Sequence, residues 1–240
     1  MKKYSGCNLK AATSMAKVHG HDHERTLFAK EHLCRVAVLL GGQHLDSTRD
    51  MMQHVLETRR TRLGREYPYT LLVTVNMAIV LAALGHHAEA IELIRPGLPI
   101  AERTMGPKHI GTLSGRQTLA CVLGYCGQHV LTEEILVEVA ANQKEIAAHK
   151  GDYHPDRLAT LVELARCSFL MGKIERAVEL CDEAIFGFDC ISRVPHPIAV
   201  GLRTTRDSLA GRREAQVGDY QAQDDVEQEE IVFPFITYRP

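Results

Sequence analysis

An eight-residue pattern that recurs along the chain limits its fold more strongly than any other feature. Each copy begins with Gly and ends with Leu seven residues later, and its fourth place holds His or Tyr. The copies begin at Gly20, Gly64, Gly106 and Gly151, so the steps between them are 44, 42 and 45 residues. A fifth, weaker copy surrounds His196. Self-similarity at a period of this size is typical of repeat architectures such as solenoids.

A second glycine keeps a constant phase with this pattern. Gly41, Gly85, Gly127 and Gly172 each follow the final Leu of a copy by 14 residues. Between the two markers, apolar residues recur every three or four positions, as they do over 71–84, which predicts one face of a helix. Gly readily takes the left-handed conformation that ends a helix. Each unit is therefore predicted to be a helix, a tight turn and a second helix.

Three prolines lie where the repeat pattern predicts the start of a first helix. Pro68, Pro155 and Pro197 fall where a first helix begins, and a proline in the first turn leaves no required donor unsatisfied. Pro96 and Pro99 instead fall inside the second helix of the second unit. We expect that helix to kink or restart there.

The pattern resembles tetratricopeptide repeats, specifically the long 42-residue variety of the kinesin light chain family and of many fungal repeat proteins. The resemblance covers about 18–209 and implies an all-α fold, a right-handed α-solenoid of antiparallel helix pairs. Small residues in the same place of successive helices, such as Ala78, Ala120 and Ala165, agree with close helix packing. The second unit carries the family signature most completely, at Leu63, Gly64, Tyr67, Pro68, Thr70, Leu71, Ala78, Gly85, Glu89 and Ala90.

Three regions are predicted from where the periodicity holds. Residues 1–17 are a capping helix or the remnant of a preceding repeat. Residues 18–211 are the repeat array, with units starting near 20, 64, 106, 151 and 194. Residues 212–240 are an acidic and then apolar tail, expected to be flexible, although its apolar end has the composition to fold back on the array.

Composition disfavours several classes of partner. The formal net charge is -2, which gives no field to attract nucleic acid or an anionic membrane. No apolar run is long enough to span a bilayer, and the first residues lack the apolar core of a secretory signal. The seven cysteines have no paired spacing, so we expect buried, reduced thiols in a cytoplasmic protein.

No catalytic or cofactor motif is present. The sequence lacks a phosphate-binding glycine loop, a nucleophile elbow and a zinc-protease helix. The thirteen histidines include a cluster over 19–23, but it has no second ligand pair at a recognisable spacing, so no metal site is predicted. His109, His154 and His196 recur with the repeat and are predicted to be turn or cap residues. We therefore expect a protein that is not an enzyme and needs no cofactor.

The resemblance also implies a binding surface, because the first helices of such repeats line a concave groove. The inner-groove Asn of the family, which binds a peptide backbone, matches Asn76. The repeat phase carries this place to His32, Thr118 and Glu163, and neighbouring places on the same helix face complete the set. We call these residues the groove set: Glu31, His32, Arg35, Val75, Asn76, Ile79, Gln117, Thr118, Cys121, Val162, Glu163 and Arg166.

The leading functional prediction is a non-catalytic protein-interaction scaffold that holds a peptide or helix of a partner protein in this groove. One alternative is a regulatory or sensor fragment of a larger nucleotide-binding switch protein. Another is an enzyme that uses the helical concavity for a small molecule, with His32, Glu163 and Arg166 as its acid-base set. Self-association through the end helices is a further open alternative, and the sequence identifies no particular partner.

Overall fold

The structure is a computed structural model that describes residues 14–39, 45–147, 153–192 and 194–218, with backbone alone for 212–218. Within these ranges the regular structure is entirely α-helical, without a strand. The all-α prediction is confirmed. The helices are α1 (residues 14–19), α2 (Glu24–Leu39), α3 (Leu45–Leu63), α4 (Pro68–Ala83), α5 (His87–Ile94), α6 (Gly97–Met105), α7 (Ile110–Tyr125), α8 (His129–Ala147), α9 (Pro155–Leu170), α10 (Ile174–Ile191) and α11 (Pro197–Gly218).

The two glycine markers lie at helix boundaries, as predicted. Gly64, which follows α3, has a φ of 88°, and Gly85, which follows α4, has a φ of 80°. A side chain would be strained in this left-handed region, so glycine is the suitable residue for both turns. The turn at Gly64 spans four residues, 64–67, and the turn at Gly85 spans three, 84–86; short turns of this kind bring consecutive helices together as antiparallel pairs. The marker positions Gly41 and Gly151 lie outside the described residues.

The histidines before the first helices are cap residues, as the sequence predicts. The Nδ1 atom of His109 accepts a hydrogen bond from the backbone N–H of Gly111 at 3.1 Å, which satisfies a donor that the helix leaves open. His154 and His196 make the same contact at the starts of α9 and α11. Tyr67 occupies this place before α4 and makes no side-chain cap.

The recurring apolar residues form the core. The final leucines of the octets, Leu27, Leu71, Leu113 and Leu158, are all at most 6% exposed. The small residues that share one place in the first helices are also buried: Cys34, Ala78, Ala120 and Ala165. Small side chains there allow close approach of helix backbones. The residues that recur in every repeat are therefore the ones that pack in the core.

The predicted interruption in the second unit is confirmed. The helix α5 ends at Ile94, and α6 begins at Gly97 after Pro96. Pro99 then lies in the first turn of α6, where a missing N–H costs nothing. At the other end of the array, α11 continues to Gly218, beyond the boundary at 211 that the periodicity suggested.

The helices group into two compact bodies. The N-terminal body comprises residues 1–126 and the C-terminal body residues 127–240. In the N-terminal body, α4 packs against both α2 and α7, while α6 packs on α4 and α7. In the C-terminal body, α9 packs against α8 and α10, and α11 packs on α10.

Glycine also allows two of these helix contacts. A Cβ atom on Gly115 of α7 would lie 2.9 Å from the Leu98 side chain of α6. One on Gly187 of α10 would lie 2.2 Å from a methyl carbon of Leu158 in α9. Both distances are shorter than van der Waals contact, so a side chain at either position would require the facing leucine to move.

The cysteine prediction is correct for part of the set. Cys34, Cys167 and Cys181 are buried free thiols, whereas Cys126 and Cys190 are exposed. The two exposed residues lie at helix ends, one just after α7 and one in the last turn of α10, where little packs over them. Among the described residues, no helix is both long enough and apolar enough to cross a membrane. The predicted tail beyond 218 and most of the predicted segment 1–17 lie outside the described residues.

Candidate functional site

The groove set of the N-terminal body lies on three helices that pack side by side, α2, α4 and α7. His32 on α2 is exposed, and Arg35 on the same helix is half-buried. Asn76 and Ile79 on α4 are also half-buried. These side chains are accessible to a partner in this structure.

Other members of the set are enclosed. Val75 is 7% exposed, Gln117 2% and Thr118 5%. Val75 lies beside Gly115, in the contact between α4 and α7. The hydroxyl of Thr118 donates to the carbonyl oxygen of Ser114 at 2.9 Å. As partner contacts, these three residues remain predictions.

Asn76 is already bonded within the protein. Its Nδ2 atom donates a hydrogen bond of 2.7 Å to the Oε1 atom of Glu31, which joins α4 to α2. The contact is between the first helices of successive repeats and is partly buried. It uses one N–H of the amide and does not use the carbonyl oxygen of Asn76.

Arg59 on α3 completes this polar cluster and was missed by the sequence prediction. Its side chain is 1% exposed, although it carries a full charge. Its Nη1 atom lies 2.9 Å from Glu24, and its Nη2 atom lies 3.7 Å from Glu31. The guanidinium carbon lies 5.2 Å from the ring centre of Tyr69, within the range of a cation–π contact. The buried cation is therefore balanced by two carboxylates and an aromatic face.

The contacts of Arg59 are ionic, since none of its guanidinium nitrogens has a partner in hydrogen-bond geometry. The helical period could have indicated it, because Arg59 follows Val55 by four residues and Met52 by seven on the buried face of α3.

The charge state of Glu31 reflects its enclosure. Burial raises the pKa of the Glu31 carboxyl, and this effect exceeds the lowering by the Arg59 charge and by the Asn76 hydrogen bond. Arg35 and His32 lower the pKa of Glu31 further, by smaller amounts. The carboxylate is thus held by its partners against a desolvation penalty.

Phe28 adds an apolar element to the same helix. Its side chain is 55% exposed, and its ring makes an edge contact with His32 at 6.1 Å between ring centres. Phe28 precedes His32 by one helical turn, so the helical period could have indicated it. It belongs with the accessible members of the groove set.

In the C-terminal body, the groove set contains an ion pair on α9. The Nε and Nη2 atoms of Arg166 both lie 3.0 Å from one carboxylate oxygen of Glu163. Glu163 is 7% exposed, and Val162 beside it is 1% exposed. The two charged side chains bind each other, as residues three apart on a helix can.

These positions bear on the predicted acid-base set. His32 belongs to the N-terminal body, whereas Glu163 and Arg166 belong to the C-terminal body and are paired there. A cavity in the N-terminal body has a volume of about 10 Å³ and is lined by Leu71, Val75 and their neighbours, without a charged side chain. Such a space holds about one water molecule and does not admit a substrate.

The histidine cluster over 19–23 is built mainly of exposed side chains. The rings of His19 and His23 stack with centres 4.7 Å apart, while Asp22 lies 3.2 Å from His54. The Nδ1 atom of His23 accepts from the backbone N–H of Arg25. In the part of the chain that the structure describes, no group of three or more His, Cys, Asp or Glu residues is arranged to hold a metal ion.

Comparison with known proteins agrees with the repeat pattern. Residues 70–111 match the family model of the tetratricopeptide repeat. A solved structure of a kinesin light chain-like protein from Podosopora anserina, with nearly identical TPR-like repeats, is 25% identical and has a TM-score of 0.63. That likeness covers 82% of this chain and 92% of the other, and a variant of the same protein matches equally well.

A second solved protein, BtubC (BKLC) from P. vanneervenii, covers 96% of each chain with a TM-score of 0.60. Its identity is 11%, so this likeness concerns the fold alone. No curated protein matches the chain at a significant level.

Proposed function

We propose that this chain, which carries tetratricopeptide repeats of the kinesin light chain-like type, is a non-catalytic scaffold that binds a peptide segment or helix of a partner protein. Tetratricopeptide repeats are generally protein-interaction modules, and arrays of this kind use extended concave surfaces for binding. The proposed site is the accessible part of the groove set on α2 and α4, together with Phe28.

The Asn76–Glu31 hydrogen bond is the observation that carries this proposal. It fixes the Asn76 side chain at 2.7 Å from Glu31 on a partly exposed surface between two first helices. A side chain fixed in this way loses little entropy when a partner binds. Because the bond engages Nδ2, the Oδ1 atom of Asn76 suits a backbone N–H of the partner.

The neighbouring side chains suit a peptide rather than a small metabolite. Phe28 offers an exposed apolar face, and His32 beside it offers a polar edge. A peptide contributes both apolar side chains and backbone donors, so it can use both kinds of contact.

The first test is affinity capture from the source cells with three full-length baits: the wild type, Asn76→Ala and Glu92→Ala. Glu92 is an exposed residue on the second helix α5, so its variant controls for the loss of a surface polar group. We expect a partner that the wild type and Glu92→Ala retain and that Asn76→Ala loses. With the purified partner, Asn76→Ala should weaken Kd about tenfold, the effect of losing one well-placed hydrogen bond.

Hydrogen exchange of the purified complex then locates the contact. Protection on α2 and α4 is expected, whereas protection confined to α3 and α5 would refute the groove proposal. Capture of only the chain itself would favour self-association, and capture of a nucleotide-binding protein would favour the regulatory alternative. Equal binding by all three baits would remove Asn76 from the site.

We also propose a cytoplasmic location. The free thiols of Cys34, Cys167 and Cys181 support it, because unpaired cysteines persist in reducing compartments. Imaging of a fluorescently tagged full-length chain tests it, and a signal confined to a secretory compartment would contradict it.

A further inference from the structure

The histidines that precede the first helices share one atomic contact. In each case the imidazole Nδ1 atom is the acceptor of a backbone N–H two residues later. The pairs are His23 with Arg25 at 3.3 Å, His109 with Gly111 at 3.1 Å, His154 with Asp156 at 3.3 Å and His196 with Ile198 at 3.3 Å. The contact therefore recurs in repeats one, three, four and five.

An imidazole nitrogen accepts a hydrogen bond only when it carries no proton. Protonation of Nδ1 would turn the acceptor into a donor that faces another N–H. It would also add positive charge at the helix N-terminus, where the helix dipole disfavours cations. Histidine is the side chain whose ordinary titration lies between about pH 5 and 8.

We propose that these histidines form a proton-sensitive set of helix caps, which loosens the first turns of α7, α9 and α11 together as the pH falls below neutrality. The caps are complete above the titration range of imidazole and are lost below it. Because the same contact recurs along the array, one change of pH acts on several repeats at once. This device is independent of whether the groove binds a peptide.

Among the described residues, the charged groups near the start of α7 come from the helices that pack against it. The neighbouring helix α6 carries Glu102 and Arg103, which are paired with Arg116 and Glu66 at 3.0 and 2.9 Å. The helix α4 has no charged residue, and on α5 Glu89 is paired with Arg49 while Glu92 is exposed.

His196 packs against α10. Its ring stacks on Phe188 of α10 with centres 4.5 Å apart. Three carboxylates of α10 lie near Phe188 in sequence: Asp189 and Asp182 are paired with Arg203 and Arg206 of α11, and Glu183 is paired with Arg157 of α9.

His154 and His23 should respond less. The Nδ1 atom of His154 lies 3.6 Å from the Asp156 carboxylate. A protonated His154 would therefore lose the hydrogen bond from the Asp156 N–H but gain an ion pair with the Asp156 side chain. Glu183 of the adjacent helix α10 is engaged by Arg157. We therefore expect a smaller loss at the start of α9 than at the starts of α7 and α11.

The ring of His23 stacks on the ring of His19, a second titratable side chain. Asp22 beside it is paired with His54 and Arg62, and Glu24 with Arg59 of α3. We leave His23 out of the test because several titratable groups act there at once.

The second repeat provides an internal control. Tyr67 takes the place of the histidine before α4 and makes no side-chain cap. The first turn of α4 should therefore not respond to pH, although it belongs to the same body as α7.

The test is native-state hydrogen exchange of the full-length chain, read residue by residue by NMR at about pH 7.5 and 5.5 and corrected for intrinsic exchange rates. Loss of a helix cap corresponds to about a fivefold loss of protection. We expect this loss at Gly111 and Ile198 at the lower pH, and no loss in the first turn of α4. In the double variant His109→Asn, His196→Asn, the asparagine caps do not titrate, so protection should not depend on pH.

Equal pH dependence in the wild type and the asparagine variant would overturn the proposal. So would protection at Gly111 and Ile198 that stays constant with pH in the wild type. If the double variant does not fold, the single variants His109→Ser and His196→Asn are measured instead, each at its own helix, with the unsubstituted histidine as the reference.

Discussion

Replacing Gly187 with Ala tests the close packing of α10 on α9. The added Cβ atom would lie 2.2 Å from a methyl carbon of Leu158 and 2.9 Å from the Tyr153 ring. Leu158 is 0% exposed, so it has no solvent-filled space into which to move. Overpacking of this kind costs about 1–3 kcal/mol, while the better helix propensity of Ala returns about 1 kcal/mol. Because two neighbours lie closer than 3.0 Å, we take the upper part of this range, about 2–3 kcal/mol, so the net expectation for Gly187→Ala is a loss of about 1–2 kcal/mol.

The assay is thermal unfolding of the full-length chain, followed by far-ultraviolet circular dichroism. For a chain of this size, such a loss lowers Tm by about 2–6 °C. Gly211→Ala is the matched control, because a Cβ atom there would have no neighbour within 4 Å. Only helix propensity then changes, and Tm should rise by about 2 °C.

Both substitutions lie in helices of the C-terminal body, so the comparison separates packing from propensity. If Gly187→Ala unfolds at or above the wild-type temperature while Gly211→Ala behaves as expected, then Leu158 repacks without cost. The close approach would then not be the reason for glycine at position 187.

Two further predictions concern ionisable groups. Because the pKa of Glu31 is raised, the folded state binds the Glu31 proton more tightly than the unfolded state does. The stability that Glu31 contributes is therefore present below the ordinary pKa of a glutamate, and it is lost as the pH rises through the raised pKa. In urea unfolding, the stability of the wild type relative to Glu31→Gln should therefore be greater at about pH 4 than at pH 7, and an advantage that grows with pH would contradict the assignment. Burial raises the pKa of the Cys34 and Cys181 thiols to about 12, so peptide mapping after brief alkylation should find Cys126 labelled and these two unlabelled until the chain unfolds. Labelling of Cys34 as fast as Cys126 in the folded chain would show that its site opens freely.

The sequence predicts the helices and their boundaries well because the controlling interactions are local. A glycine with positive φ, such as Gly64 or Gly85, and a proline in a first turn act within a few residues of their own position. The break near Pro96 follows from the same local chemistry. Leu and Ala recur at fixed positions of the repeat, and this recurrence predicts which residues are buried, because the same helix face has the same surroundings in every repeat.

The polar cluster could not be predicted in the same way. The bond between Asn76 and Glu31 joins residues 45 positions apart, and the burial of Arg59 depends on where α2 and α4 lie over α3. The helical period places Arg59 on the buried face of α3, but it does not reveal that Glu24, Glu31 and Tyr69 surround the charge. The repeat phase located Asn76 correctly on its helix but could not reveal its partner.

The turn between α5 and α6 has a consequence for how the second repeat opens. The backbone hydrogen-bond ladder does not run through Pro96, so the two helices are separate cooperative segments. In α5 the residues Ala90, Ile91 and Ile94 are buried, whereas in α6 only Ala101 is. The shorter contact with the core makes α6 the segment that detaches at lower cost, and its peptide bonds should be the first in that repeat to be cut by a protease. The second repeat would then lose α6 while α5 stays in place.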